Sequence, residues 1–315
     1  MNCLVTGGAG FIGHNLVRKL LQCGHAVRVL DNFATVKRSN LDPYIDDIDL
    51  VDADLRDGEA VEEAARGIEV IYHQGALGSV PRSIKDPLTT NQVNVNGTLH
   101  VLEAARLNNV RRVVFASSSS VYGRNPALPK HESLDPSPAS PYAVSKLAGE
   151  QYCQVYSRAY GLETVALRYF NVFGPGQDPN SPYAAVMPLF AAGFLTGTPI
   201  TVNGDGEQSR DFTYIDNVVD ANLRAATADD ASGSAFNVAC GQRTTLNEVL
   251  DHLRRMTEVD TEIVYGPDRP GDVRHSLADI DRAQSVLSYR PTVPLVAGLR
   301  STVDYYRSVV ENASS

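Results

Sequence analysis

The sequence predicts an α/β fold in which a doubly wound parallel sheet is followed by a smaller C-terminal α/β lobe. In the first half, short apolar runs rich in β-branched residues alternate with stretches of helical spacing, which is typical of such a sheet. A turn containing three glycines directly follows the first apolar run. After Phe170 the alternation stops, and glycine, proline and asparagine become dense. We therefore expect one regular lobe and a second, less regular one.

The elements of the first lobe follow from the periodicity of the apolar residues. The predicted strands cover residues 3–5, 26–30, 48–51, 69–72, 112–116 and 163–167. The predicted helices cover residues 11–22, 59–66, 92–108 and 141–160. Ser140 is the expected N-cap of the last helix, and Pro141 lies in its first turn.

The second lobe has shorter predicted elements, at residues 186–195, 216–226, 235–238, 246–256 and 295–310. We assign residues 1–170 to the first lobe and residues 171–315 mainly to the second. A later segment, about residues 211–240, is expected to return to the first lobe. Open α/β folds bind ligands at the carboxyl edge of their strands, so the second lobe is expected to cover that edge.

Charge and composition narrow the possible classes of protein. The 315 residues carry a net charge of −9, which argues against nucleic acid or an anionic membrane as a partner. The four cysteines are irregularly spaced, and no histidine or cysteine cluster has metal-ligand spacing, so no metal is expected. The sequence shows neither a secretion leader nor an apolar run of about 18 residues, and we expect a cytoplasmic protein.

The glycine turn has the pattern of a dinucleotide site. Gly7, Gly10 and Gly13 follow a predicted strand and open a predicted helix, where free N–H groups and the positive helix end favour a pyrophosphate. Asp31 ends the second strand, and its carboxylate can accept both ribose hydroxyls while repelling a 2′-phosphate. The pattern therefore predicts NAD(H) rather than NADP(H). A tight strand–helix turn without a ligand is the alternative interpretation.

Tyr142 and Lys146 have the spacing of a catalytic pair on one helix face. A lysine ammonium four residues from a tyrosine favours the phenolate and lowers the phenol's pKa. The run of serines that includes Ser118 follows the fifth strand, where a substrate is expected to lie. We predict Tyr142 as the base, with Ser118 bonding to the same substrate oxygen.

These residues identify a resemblance to the extended short-chain dehydrogenases/reductases. Within them the chain is most similar to NAD-dependent nucleotide-sugar epimerases, namely the UDP-N-acetylglucosamine and UDP-glucose 4-epimerases. The resemblance extends from the glycine turn to about Asp279. It implies a Rossmann fold, an NAD retained through turnover, and Ser118, Tyr142 and Lys146 as the catalytic residues.

The resemblance also implies two sets of contacts. The cofactor set is Gly7, Gly10, Phe11, Ile12, Gly13, Asp31, Asn32, Asp54, Leu55, Gln74, Ala76, Asn94, Ser117, Tyr142, Lys146 and Tyr169. The UDP-sugar set is Gly78, Ser79, Ser118, Ser119, Ser120, Tyr142, Asn171, Ala185, Val186, Asn203, Arg210, Arg269, Asp272 and Ser276. Within the second set, the two arginines correspond to diphosphate contacts and Asp272 to a uridine ribose contact.

Three positions bear on the reaction and the substrate. Related dehydratases carry acids at the positions of Ser119 and Ser120, and related decarboxylases a glutamate at Ser120, so both reactions are disfavoured. Ser276 stands where glucose-only epimerases have a tyrosine, which favours room for a 2-acetamido group; a plain loop serine is the alternative. The resemblance therefore implies interconversion of UDP-GlcNAc and UDP-GalNAc, and of UDP-Glc and UDP-Gal as a second pair.

Other interpretations remain open on the sequence alone. The first is an epimerase of a UDP-hexuronic acid, either UDP-GlcA or UDP-GlcNAcA, and the second is a UDP-sugar dehydratase or decarboxylase. A non-catalytic NAD-binding regulator is disfavoured because both Tyr142 and Lys146 are present. The resemblance also implies a homodimer formed through the helices at residues 92–108 and 141–160.

Overall fold

A seven-stranded parallel sheet forms the centre of the protein, in a computed structural model that describes residues 1–179, 185–267 and 273–314. Its strands lie in the order β11-β6-β5-β4-β1-β2-β3. They are β1 (Asn2–Thr6), β2 (Ala26–Asp31), β3 (Ile48–Asp52), β4 (Val70–His73), β5 (Arg112–Ser118), β6 (Glu163–Tyr169) and β11 (Ser234–Val238). The predicted doubly wound α/β fold is confirmed. Since the strand order reverses between β1 and β4, the loops after these two strands open a crevice at the carboxyl edge.

Helices pack on both faces of the sheet, and further helices form part of the second half of the chain. They are α1 (Phe11–Gln22), α2 (Gly58–Ala64), α3 (Val80–Lys85), α4 (Pro87–Asn91), α5 (Gly97–Leu107), α6 (Pro141–Tyr160), α7 (Val186–Thr196), α8 (Ile215–Ala225), α9 (Leu246–Thr257), α10 (Asp281–Leu287) and α11 (Leu295–Ser314). Among the described residues, no helix combines the length and the apolar character that crossing a membrane requires.

The second half contributes short strand pairs. These strands are β7 (Val172–Phe173), β8 (Ile200–Asn203), β9 (Ser209–Arg210), β10 (Thr213–Tyr214), β12 (Thr244–Thr245) and β13 (Ile263–Gly266), which pair as β7–β10, β8–β13 and β9–β12. Strand β11 instead pairs with β6 of the central sheet, from Ser234 opposite Val165 to Val238 opposite Tyr169. A single cluster of buried apolar side chains extends from Cys3 to Tyr306, so the two halves of the chain share a core.

Helix α6 carries the predicted catalytic pair, and its ends follow from local chemistry. The Ser140 hydroxyl accepts a hydrogen bond from the Ala143 N–H, and Pro141 occupies the first position, as predicted. Gly161, with φ of +70°, ends the helix. Ala143, Lys146 and Glu150 are buried on the face that meets the sheet.

The helix predicted at residues 92–108 differs from the observed one. A helical segment begins earlier, at α4, and passes through a π-helical turn, Gln92–Asn96, into α5. The buried side chain of Asn94 occupies this wider turn and bonds to the backbone of Leu77. Apolar periodicity does not reveal such a turn, because its cause is a polar contact with a distant loop.

Candidate active site

The glycine turn lies at the end of β1 and forms the floor of the crevice. Gly7 has φ of +66°, and a Cβ on Gly13 would lie only 2.1 Å from the Gly7 carbonyl oxygen. No side chain accepts a hydrogen bond from the first turn of α1, which includes Phe11 and Ile12. The N–H groups of this turn therefore point out of the helix end toward the crevice without a side-chain acceptor. This backbone cradle fits a dinucleotide pyrophosphate.

Asp31 lies beside the turn at the end of β2. Its carboxylate accepts hydrogen bonds from the backbone N–H groups of Ala9 and Phe33, both at 2.9 Å. Burial raises its pKa from the ordinary value, and these N–H groups oppose the shift. The geometry places a carboxylate next to the glycine turn, which suits a ribose diol.

Two residues of the predicted cofactor set, Asp54 and Leu55, follow β3. The amide of Asn32 donates to Asp54 at 2.7 Å, and Arg56 donates to the same carboxylate. The hydrogen bond from Arg56 is the main reason that the pKa of Asp54 falls to about 2. Leu55 is buried beneath Gly75, whose Cβ would lie 2.8 Å from the Leu55 Cδ1. Asp54 is thus ionised at neutral pH and held at the rim of the crevice.

Ser118, Tyr142 and Lys146 converge at the end of β5. The Lys146 ammonium is buried, donates to the Ala116 carbonyl oxygen at 2.7 Å and lies 6.0 Å from the centre of the Tyr142 ring. Burial lowers the pKa of Lys146 to about 8. Burial raises the pKa of Tyr142, and its hydrogen bond with Ser118 opposes that shift. The protein alone therefore holds Tyr142 as a phenol.

The neighbouring serines differ in their surroundings. The hydroxyl of Ser117 is turned away from the crevice and donates to the buried Glu150, so a contact with a cofactor would come from its backbone. The hydroxyl of Ser118 accepts from the Ser120 N–H at 3.2 Å. The hydroxyl of Ser120 is buried with no partner among the described residues, and Ser119 is half-buried beside it. Neither Ser119 nor Ser120 supplies an acid, so the carbon–hydrogen chemistry of a dehydratase has no proton donor at these two positions.

A second polar group lies at the carboxyl ends of β4 and β6. The hydroxyl of Tyr169, at the end of β6, bonds to Asn222 of α8 at 2.9 to 3.0 Å, and Gln74 bonds to both. Asn222 was not predicted from the sequence. Its position in an amphipathic helix gave no signal, because its partners are Gln74, just after β4, and Tyr169 on β6. Ala76, two residues after Gln74, is half-buried.

Asn94 connects two other segments of the site by hydrogen bonds. Its side chain accepts from the Leu77 N–H at 2.8 Å and donates to Ser145 of α6 at 3.0 Å. It thereby ties the loop after β4 to the helix of the catalytic pair. In the same loop, Gly78 is exposed with open space around it, and the Ser79 hydroxyl caps α3 by accepting from the Arg82 N–H.

The second half of the chain carries the other predicted UDP-sugar residues. Arg210 donates to the carbonyl oxygens of Ser209 and Arg274, both at 3.0 Å. The N–H of Ser276 donates to the Ser209 carbonyl oxygen at 3.0 Å, so Ser276 lies beside Arg210 on the paired segment. Asp211, the next residue along the chain, is fully buried and accepts from three backbone N–H groups.

The remaining predicted substrate residues belong to several separate segments of the second half. Asn171 donates to the Asp211 carbonyl oxygen at 3.3 Å, and Asn203 is the exposed end of β8. Ala185 is exposed just before α7, and Val186 is half-buried at its start. Arg269 and Asp272 lie outside the described residues. Elsewhere in the described part of the chain, His, Cys, Asp and Glu side chains form no cluster of three that could hold a metal.

A buried ion pair behind the site was also not predicted from the sequence. Glu150 of α6 and Arg168 of β6 form two hydrogen bonds, at 2.9 and 2.7 Å. The only sequence signal is that Glu150 follows Lys146 by one helical turn.

Comparison with known proteins assigns the chain to a family. Residues 3–239 match the model of the NAD dependent epimerase/dehydratase family. A UDP-glucose 4-epimerase of Mycolicibacterium smegmatis is 40% identical over 312 residues, which cover 98% of this chain and 99% of that protein. NAD is accordingly the cofactor of this chain, and the crevice at the glycine turn fits it.

Two solved structures are similar over nearly their full length. A UDP-N-acetylglucosamine 4-epimerase from Methanobrevibacter ruminantium, in complex with UDP-N-acetylmuramic acid, has 41% identity and a TM-score of 0.93, with 98% of each chain covered. A UDP-glucuronic acid 4-epimerase from Bacillus cereus, in complex with UDP-glucuronic acid and NAD, has 31% identity and a TM-score of 0.91, covering 98% of this chain and 100% of that one. The resemblance seen in the sequence is thereby confirmed, and the chain belongs to the NAD dependent epimerase/dehydratase family of extended short-chain dehydrogenases/reductases.

Proposed function

We propose that this protein is a UDP-sugar 4-epimerase that interconverts UDP-GlcNAc and UDP-GalNAc, with UDP-Glc and UDP-Gal as a second pair. The observation that carries the proposal is the convergence of Ser118, Tyr142 and Lys146 at the end of β5, beside two serines in place of acids. Similar proteins named as 4-epimerases of UDP-glucose and UDP-N-acetylglucosamine support it.

In this mechanism Tyr142 accepts the proton of the sugar 4-hydroxyl, and Ser118 bonds to the same oxygen. Burial disfavours the phenolate, so the reaction needs positive charge close to the ring, and the Lys146 ammonium supplies part of it. NAD, when bound by the glycine turn and Asp31, supplies the oxidation and the re-reduction at C4. After the sugar has turned its opposite face toward the cofactor, Tyr142 would return the proton to the 4-oxygen, so that C4 is formed with inverted configuration.

The nucleotide must stay in place while the sugar turns. We propose that Arg210 and Arg269 hold the diphosphate and that Asp272 holds the uridine ribose. The small side chain of Ser276, next to Arg210 on the paired segment, leaves room for a 2-acetamido group. These assignments make Arg210, Arg269 and Asp272 the proposed anchor for UDP.

A UDP-hexuronic acid is the second candidate substrate class. The similarity to a UDP-glucuronic acid 4-epimerase favours it specifically. A UDP-sugar dehydratase or decarboxylase is a third possibility, which the serines at 119 and 120 disfavour. The mass of the product distinguishes a dehydratase or decarboxylase from an epimerase, because epimerisation leaves the mass unchanged.

The test is a panel of UDP-Glc, UDP-GlcNAc, UDP-GlcA and UDP-GlcNAcA, each incubated with purified protein and no added oxidant. We expect UDP-GlcNAc to give UDP-GalNAc, identified by the C4 stereochemistry in NMR spectra, with no change of mass. Conversion of the uronic acids alone would favour the second candidate. Loss of water or CO₂ would overturn the proposed reaction.

Two further assignments accompany this proposal. We propose a homodimer through α5 and α6, because Val144 and Val155 lie three helical turns apart on α6 and are 52% and 51% exposed. Leu147 and Tyr152 instead pack against the chain's own core. We propose a cytoplasmic location, which the four free cysteines support, since thiols persist in reducing compartments.

A further inference from the structure

A buried carboxylate lies directly behind the catalytic residues without touching the crevice. The Glu150 side chain is 0% exposed, and its partner Arg168 is 5% exposed. The two oxygens of Glu150 accept from the Arg168 Nε at 2.9 Å and from its terminal nitrogen at 2.7 Å, and the Ser117 hydroxyl donates to the same carboxylate. Every oxygen of Glu150 is therefore engaged, which is what burial of a charge requires.

The three partners belong to the three segments that carry the reaction. Glu150 follows Lys146 by four residues on the buried face of α6. Ser117 and Arg168 lie opposite each other in the sheet, and each is followed by a site residue, Ser118 on β5 and Tyr169 on β6. A shift of α6 relative to either strand would break this bonding.

We propose that Glu150 is a positioning residue for the reaction, fixing α6 against β5 and β6 through Ser117 and Arg168 so that Tyr142 and Lys146 stay aligned with Ser118. This inference rests on the proposed epimerase function. It assigns a role to the only ion pair in the described chain whose two side chains are both at most 5% exposed.

The carboxylate of the ion pair also contributes to the electrostatic surroundings of Lys146. The charge of Glu150 favours the ammonium and opposes the effect of burial on the Lys146 pKa, which is about 8. The other titratable groups near Lys146 are Tyr142 and Cys153 on its own helix and His73 on β4. From β5, the ring of Phe115 and the carbonyl oxygen of Ala116 face the ammonium, and neither titrates.

Two variants should shift the pKa of Lys146 in opposite directions. In Glu150→Gln the charge of Arg168 is no longer neutralised, so the Lys146 pKa should fall by about one unit. In Arg168→Gln the glutamine amide and the Ser117 hydroxyl can still donate to Glu150, but its charge is no longer neutralised, so the Lys146 pKa should rise by a similar amount. The matched control is Glu163→Gln, which removes a β5–β6 ion pair with Arg112 at the other end of the same strands.

The experiment compares the four proteins at equal NAD occupancy. We expect the alkaline limb of kcat against pH to move to lower pH in Glu150→Gln, to higher pH in Arg168→Gln, and to stay in place in Glu163→Gln. In Glu150→Gln kcat should also fall about 10- to 100-fold at an unchanged KM, because the reacting groups lose their alignment. The Lys146 pKa is read independently from its ¹³Cε NMR shift, with Lys146→Arg for assignment.

The outcomes separate the inference from the function on which it rests. Absence of epimerisation by the wild-type protein would overturn the proposed function, while the NMR titrations would still test the effect of the ion pair. An active wild type with the same alkaline limb and the same Lys146 pKa in both variants would overturn the inference. Should Glu150→Gln fail to fold, Arg168→Gln still decides, because a purely structural role predicts no rise of the Lys146 pKa.

Discussion

Tyr142 is the side chain on which the proposed chemistry depends most directly. It is hydrogen-bonded to Ser118, and the Lys146 ammonium lies 6.0 Å from the centre of its ring. Because burial raises its pKa, the free protein stores a proton on the phenol, and the proposed base forms only when more positive charge is near. Tyr142 is therefore a neutral phenol in the free protein and becomes a base only when its surroundings favour the phenolate.

We expect Tyr142→Phe to lose about 10²- to 10⁴-fold in epimerisation rate, because it removes the proton acceptor and the bond to Ser118. The measurement is initial rate on the substrate found in the UDP-sugar panel, together with thermal unfolding, which should change little. Tyr152→Phe on the same helix is the matched control and should retain the wild-type rate. A Tyr142→Phe protein as active as the wild type would show that another group is the base.

The sequence allowed prediction of the residues that carry the chemistry but not of those that hold them. Tyr142, Lys146 and Ser118 follow recognisable local patterns, at the start of a helix and at the end of a strand. Glu150 bonds to residues 18 and 33 positions away, and Asn222 to one 53 positions away. Such pairings are set by the order of the strands, which no local pattern reveals.

Among the elements, the β1–α1 turn is the most tightly constrained. A Cβ on Gly13 would approach the backbone of Gly7 and Gly8 at 2.1 and 2.7 Å, and backbone cannot rotate away as a side chain can. The turn keeps its shape only because the helix packs directly against it.

We expect Gly13→Ala to push α1 away from the turn and to reduce the NAD occupancy of the purified protein by about tenfold or more. The measurement is NAD released on acid denaturation, per mole of protein. Gly58→Ala, in the first turn of α2, is the control, since its Cβ would make ordinary contact with His100 at 3.5 Å. Full NAD occupancy in Gly13→Ala would contradict the assignment of the turn to the pyrophosphate.

The junction at Asp211 joins three segments of the second half. Its carboxylate accepts from the N–H groups of Cys240, Gly241 and Ala278, at 2.9, 3.0 and 3.2 Å. These bonds fix the residue that directly follows Arg210, the proposed diphosphate ligand.

We expect Asp211→Asn to destabilise the protein by about 1–3 kcal/mol, because an amide NH₂ would face donors and leave a buried N–H without an acceptor. Thermal unfolding measures this as a lower Tm. Asp205→Asn is the control in the same lobe, since its ion pair with Arg274 is 54% exposed on both sides and contributes little. Equal Tm values for the two variants would refute the role of Asp211.

Strong periodicity allowed prediction of the long elements. The helices at residues 11–22 and 141–160 have the predicted bounds. The short helices α3 and α4 and the two-residue strands β7, β9, β10 and β12 were not predicted, because elements so short have no periodicity and exist only through tertiary contacts.

At the scale of the whole molecule, the outward face of α6 is the surface that we propose for the dimer interface. Val144, Ala148 and Val155 share this face, and the two valines are half exposed. Such a stripe on a helix that buries its opposite side against the sheet suits a second copy of the same helix.

We expect the wild type to be a dimer and the double variant Val144→Glu, Val155→Glu to be a monomer, since like charges would face each other across the two-fold axis. Sedimentation velocity measures both. Val264→Glu, at a valine 43% exposed on β13, is the control and should leave the dimer intact. A wild-type monomer, or a double variant that remains dimeric, would refute the proposed interface.

The place of β11 at the edge of the sheet has a consequence for synthesis of the chain on the ribosome. Strand β6 ends at Tyr169, but the strand that covers its free side, Ser234–Val238, is made more than sixty residues later. During that interval the hydrogen-bonding groups on one side of β6 have no native partner in the nascent chain, and an open strand edge invites pairing with other chains. The nascent chain is thus open to such pairing midway through translation, and slower elongation between these strands would lengthen the exposure.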